Sequence, residues 1–151
     1  MRRRRRRSDC PIHFGLEVFG DPWTLLILRD VLLKGRTTYS DVLHAEEGIA
    51  TNVLADRLAR LEQDGLLSAD RATGGGRARR YRPTSKAVDL FPVLMEIIAW
   101  SARHDPATAA DPDFVARLRT DRAGLEHDLR SQATALASTP TSTTTATQED
   151  S

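Results

Sequence analysis

A polar face between residues 51 and 64 carries the most distinctive chemistry in the sequence. If that stretch is a helix with Leu54, Leu58 and Leu61 inward, then at 100° per residue Asn52, Asp56, Ala59 and Gln63 point directly away, flanked by Ala55 and Arg60. Asn and Gln side chains can pair with the exposed edge of adenine, and Arg with guanine or a phosphate. Thr51 and Asn52 fall in the first turn, where helices that enter a major groove touch base edges. The plainer reading is an ordinary solvated helix face, and the face alone leaves both standing. A second group lies between residues 68 and 86, where Arg71, Arg77, Arg79, Arg80, Arg82 and Lys86 stand against Asp70 alone, a local charge of +5. Such a density suits phosphate contact. Arginines flank Gly74, Gly75 and Gly76, whose backbone can approach a duplex closely while the guanidinium groups make charge-assisted contacts. The alternative is a surface loop charged for solubility.

The one cysteine, Cys10, precedes Pro11 at a predicted helix start. Helix amides and the nearby Arg7 would favour a reactive thiolate there, making Cys10 a candidate sensor of an oxidant or other small-molecule effector. The other reading is a small buried hydrophobe. His13, His44, His104 and His127 have no mutual i, i+4 spacing and no acidic or cysteine company, so no metal site is expected. No nucleophile is paired with a base, and the three glycines sit in a predicted hairpin, the wrong context for a phosphate-cradling loop. The expectation is a protein that is not an enzyme and carries no cofactor.

A length of 151 residues suggests one domain with appendages. The net charge of +1 conceals a segregation: +6 in residues 1–8, −1 in 8–104 and −4 in 105–151. The arginine run at the start and the Ser/Thr-rich end cannot bury enough surface to offset ordering entropy, so 1–8 and 138–151 are expected to be disordered tails around a domain at 9–104 and a helical extension at 105–137. The arginine run has several readings: added nonspecific DNA affinity, a start-site artefact or an inert tail. A single cysteine suits a reducing compartment, and no apolar run approaches the roughly 18 residues of a membrane span. A soluble, cytoplasmic protein without membrane contact is expected.

Capping residues, prolines and glycines mark the elements that must position these groups. Asp9 and Pro11 open a short helix, apolar at Ile12, Leu16 and Phe19, that ends at Gly20. Asp21 and Pro22 open a second helix, 23–33, apolar round most of its circumference and therefore central, which Gly35 closes. Ser40 caps a short helix through Ala45, Gly48 breaks the chain, and a helix over 51–64 stops at Gly65; helix, glycine turn, helix is a helix-turn-helix arrangement. Extended runs at 66–71 and 79–84 form a hairpin around the three glycines. Thr84 caps a helical run over 85–103 that should kink or restart at Pro92. Asp111 and Pro112 start a last helix through Ala137, with a thin apolar stripe at Phe114, Leu118, Leu125, Leu129 and Leu136 that calls for a partner such as a second subunit.

The ordered set Cys10-Pro11, Gly20, Trp23-Thr24-Leu25-Leu26-Ile27-Leu28-Arg29, Gly48-Ile49, Asn52-Val53-Leu54, Arg57-Leu58, Leu61-Glu62, Asp64-Gly65-Leu66, Tyr81, Thr84 and Pro92 closely resembles the HxlR family of bacterial regulators. The resemblance covers about residues 10–100. It implies a mainly α protein with a small β hairpin, a winged helix-turn-helix with additional dimerisation helices, acting on double-stranded DNA as a homodimeric repressor or activator, often of stress or detoxification genes. It also implies that 51–60 lie on or near DNA. The expected DNA-binding residues are thus Thr51, Asn52, Ala55, Asp56, Arg57 and Arg60, with Arg77, Arg79 and Arg80 on the wing. Some relatives sense quinones, aldehydes or oxidants through a thiol placed like Cys10. Two departures bear on base preference: Pro22 stands where many members have lysine before the tryptophan, and Ala50-Thr51-Asn52 replaces Ser-Pro-Lys.

Overall fold

The computed structural model describes residues 7–70 and 78–138. The arginines at 2–6, the glycine tip with Arg71 and Arg77, and residues 139–151 lie outside the described residues.

The first helix, α1 (Pro11–Phe19), has its proline in the opening turn and Gly20 at its end. Asp21 then accepts hydrogen bonds from the amides of Trp23 and Thr24, each at 3.0 Å, and so starts α2 (Thr24–Lys34), which Gly35 terminates. Ile27, Leu28, Val31 and Leu32 of α2 are buried at the centre of the core, each contributing about 1.5–3 kcal/mol. Helix α3 (Tyr39–Leu43) is capped by Thr38 rather than by Ser40. The reason is reciprocity: Thr38 Oγ1 accepts from the Asp41 amide while the Asp41 carboxylate accepts from the Thr38 amide, a capping box that Ser40, with Leu43 three residues on, cannot form. Helix α4 (Thr51–Gln63) buries Leu54, Leu58 and Leu61 as expected. Gly65, at φ 71°, turns the chain out of it through a conformation that side-chain-bearing residues avoid.

Strands β1 (Leu67–Ala69) and β2 (Tyr81–Pro83) pair antiparallel with Ser68 opposite Arg82, in shorter runs than the sequence suggested. A third extended segment, unexpected from the sequence, lies on the far side of β2: the Tyr81 amide donates to the Thr37 carbonyl at 2.7 Å, and Thr38 bridges Arg80. Thr84 caps α5 (Ser85–Val88), and the chain restarts as α6 (Phe91–His104) with Pro92 in its first turn.

The region after Asp105 departs from expectation twice. It forms two helices, α7 (Pro112–Thr120) and α8 (Arg122–Ser138), divided at Asp121. Asp121 Oδ1 accepts from the Gly124 amide at 3.1 Å, and a Cβ on Gly124 would collide with that carboxylate, so the glycine serves the start of α8. The thin apolar stripe also finds its partner within the chain: Leu118, Leu125, Leu129 and Ala133 are buried in the core, with α8 lying along α2, α6 and β2. Arg130 pairs with Asp89 and Arg122 with Glu96 across this contact. Arg82 donates to the carbonyls of Leu136 and Ala137, joining β2 to the end of α8. Among the described residues, no helix is long and apolar enough to cross a membrane.

Candidate nucleic-acid interface

The leucine stripe of α4 fixes which side faces out. Thr51, Asn52, Ala55, Asp56, Ala59 and Gln63 are all exposed, so the polar face predicted from helical spacing is the outer face. The N-cap residue is Ala50, which has no side-chain acceptor, and the first-turn amides of α4 therefore lack a side-chain cap. Uncapped amides at a helix N-terminus carry partial positive charge and suit a phosphate oxygen. The signal was in the sequence, as an alanine where a capping residue belongs. Tyr39 of α3 holds this end in place by donating from its hydroxyl to the Thr51 carbonyl at 3.0 Å.

The turn before α4 is tied to α2 by a charge network. Asp30, 1% exposed inside the core, receives Arg29 at 2.7 Å and Arg36 at 3.3 Å. Arg29 continues to Glu47 at 2.6 Å, and Arg36 and Lys34 to Glu46. The Arg36 guanidinium holds the Glu46 carboxyl well below its ordinary range, and Arg29 does the same for Glu47 despite the opposing effect of partial burial. A buried carboxylate without such partners would be strongly destabilising. Sequence reading passed over Asp30, because helical spacing alone does not mark a charged residue on a central helix as paired.

Three α4 and wing arginines are spoken for within the chain or nearly so. Arg57 is half-buried and lies between two acids, its Nε 3.1 Å from Asp21 Oδ1 and its Nη1 donating to Asp56 of the outer face at 3.2 Å. Arg79 is exposed but donates to Glu62 at 2.7 Å and lies over the Tyr81 ring. Arg82 pairs with Asp70 at 3.0 Å as well as with α8. Arg80 is exposed, with a hydrogen bond of 3.3 Å to the Thr37 hydroxyl, and Arg60 is half-buried. The +5 of the sequence is therefore partly neutralised where it can be seen, and Arg77 falls outside the described residues. Cys10 is exposed at the start of α1, which sets aside the buried reading of its thiol. Among the described residues no group of His, Cys, Asp and Glu is arranged to hold a metal.

A helix-turn-helix whose second helix shows a polar outer face, followed at once by an antiparallel hairpin, is a winged-helix arrangement, and residues 18–108 match the HxlR-like helix-turn-helix family. The chain belongs to that family. Its relatives include the HTH-type transcriptional regulators sll1512 of Synechocystis (30% identical, over 57% of this chain and 63% of that protein) and YvaP of Bacillus subtilis (28% identical, over 70% and 94%), both uncharacterised. It is similar in structure to PA1607, a candidate transcription factor, with a TM-score of 0.61 and 34% identity over 70% of this chain and 72% of that one. The reduced form of the transcriptional regulator YodB from B. subtilis shares the fold, with a TM-score of 0.54 and 24% identity over 67% of this chain and 99% of that one. Against the Mycobacterium bovis regulator Mb3122 the aligned region takes in 60% of the relative, and against sll1512 63%, so the chain spans somewhat less than two thirds of these relatives. The HxlR match takes in α4, the wing and α6, and it leaves out Cys10, α7 and α8.

Proposed function

We propose that this HxlR-type regulator binds an inverted-repeat operator as a homodimer, with α4 of each subunit in a major groove and the wing on the flanking backbone. The outer face of α4 carries the reading: Asn52 and Thr51 stand at its exposed first turn, beside amides that no side chain caps. Ala55 and Asp56 follow on the same face, Arg60 flanks it, and Arg79 and Arg80 with Arg77 supply the wing's cations. Two such helices in successive grooves lie about 34–36 Å apart. The subunits join through α1 and α6, where Ile12, Phe14, Leu16, Ile97 and Trp100 are large apolar side chains left exposed, a pattern that marks an association surface. Cys10, exposed at the start of α1 beside that surface, is the point at which an oxidant or electrophile would act on pairing.

The test is equilibrium binding of the full chain to a duplex selected from a randomised pool, titrated with salt. Each neutralised phosphate contributes about 0.9 to the slope of log affinity against log salt, so a slope steeper than about −4 is expected. Undetectable or salt-insensitive association would point instead to a winged-helix module that binds protein.

A further inference from the structure

Arg57 was expected on the DNA, and its placement suggests another role. It sits on α4 one turn from Leu54 and Leu61, at the margin of the buried stripe, and its side chain is only 20% exposed. Its Nε is buried and 3.1 Å from Asp21 Oδ1, without an aligned hydrogen bond, so charge more than direction holds the two together, while its Nη1 donates to the exposed Asp56 carboxylate at 3.2 Å. The same Asp21 oxygen accepts from the amides of Trp23 and Thr24, and the other oxygen from the Thr24 hydroxyl at 2.5 Å. Thr24 is itself buried. One carboxylate thus starts α2, follows directly on the end of α1, and grips the flank of α4.

The leucine stripe fixes which side of α4 faces the core, but apolar contact is non-directional and leaves some play in roll about the helix axis. A fixed charge at the margin of that stripe removes the roll. We propose that Arg57 is a positioning residue for DNA recognition: paired with Asp21, it sets the rotation of α4 and so the aim of Asn52 and Asp56, and it contacts no phosphate. This rests on the DNA-binding reading above for its consequence, and on the Asp21 contact for its mechanism.

Arg57→Met, Asp21→Asn and the double variant of the full chain test it, using the duplex selected by the unaltered protein and a random-sequence duplex of equal length. Each single variant should lose about tenfold in affinity for the selected duplex and keep the salt slope and the random-duplex affinity. The double variant should be no weaker than either single one. A slope reduced by about one in Arg57→Met would show a phosphate contact, and losses that multiply would show independent roles; either overturns the proposal. Hydrogen exchange in the free protein decides the mechanism without DNA. The Trp23 and Thr24 amides should exchange several-fold faster in Arg57→Met and return to the original rates in Arg57→Lys, and unchanged rates in Arg57→Met overturn the pairing. Should Arg57→Met fail to fold, Asp21→Asn, which keeps an amide-accepting oxygen, carries the binding readouts from the other side. If the unaltered protein selects no duplex, the regulator reading fails, while exchange still reports on the pair.

Discussion

Asn52 is the side chain from which most discrimination is expected, being exposed, bifunctional and in the first turn of α4. Asn52→Ala should relax preference at one base pair by about 1–3 kcal/mol, measured as the affinity ratio between matched and single-mismatch duplexes; equal losses on selected and random DNA would argue against base readout by this side chain. The acidic residues make a separate prediction. Glu46 and Glu47 are held low by Arg36 and Arg29, and Asp41 by the Thr38 hydroxyl. Asp21 is lowered too: burial raises it, and the Thr24 hydroxyl, two amides and Arg57 together outweigh that. A carboxyl depressed in the folded state stabilises it above the unfolded value and loses that contribution as pH falls toward the folded one. Urea midpoints should therefore decline steadily from about pH 5 to about pH 3, and a flat profile would contradict the pairings. Added salt should shrink the part due to Glu46, which is well exposed. At this scale the outer residues of α4 were legible because three leucines fix a helix's rotation. The arginines were less so: Arg57 meets its neighbour Asp56, but its contact with Asp21, like that of Arg79 with Glu62, comes from tertiary folding that no local pattern records.

Arg80 is exposed with a weak hydroxyl partner, and Arg79 is exposed though paired with Glu62. Arg79→Ala and Arg80→Ala should each weaken binding to all duplexes and lower the salt slope by about one; an unchanged slope in both would remove the wing from the interface. The Arg79 effect should be the smaller in affinity, since Glu62, already paired with Arg79, competes with DNA for it. Boundaries punctuated by proline or glycine were readable: the starts of α1, α6 and α7, and the ends of α2 and α4, all follow from such residues. Where two signals competed, the reciprocal one won. Thr38 with Asp41 displaced Ser40. The stretch after Asp111 reads as one helix, and Asp121 with Gly124 divides it into α7 and α8. The extended segment at Thr37 and Thr38 has no signature in the sequence, because one bridge and one backbone bond to β2 create it, and two residues are too few to show alternation.

Over the whole molecule, the exposed apolar side chains divide sharply from the buried ones. Trp100 is 64% exposed and Ile12 70%, while the stripe of α8 is inside. Trp100→Asp should therefore yield a folded monomer by sedimentation, with circular dichroism unchanged and affinity for the palindromic duplex reduced at least about a hundredfold, since one half-site then binds alone. A variant still dimeric would place the subunit contact elsewhere. The helical extension had looked like an element in need of a second chain. Its thin stripe suffices because α2, α6 and β2 already form a groove around it, an arrangement that periodicity in α8 by itself could not reveal.

Because α8 packs into the interior of its own chain, the dimer proposed above would keep pairing and folding as separate equilibria. A chain leaving such a dimer would stay an intact object, so partners would trade at the speed of dissociation and not of unfolding. On that reading, a copy unable to grip DNA would still be accepted as a partner inside a cell, and would silence intact copies in proportion to its abundance.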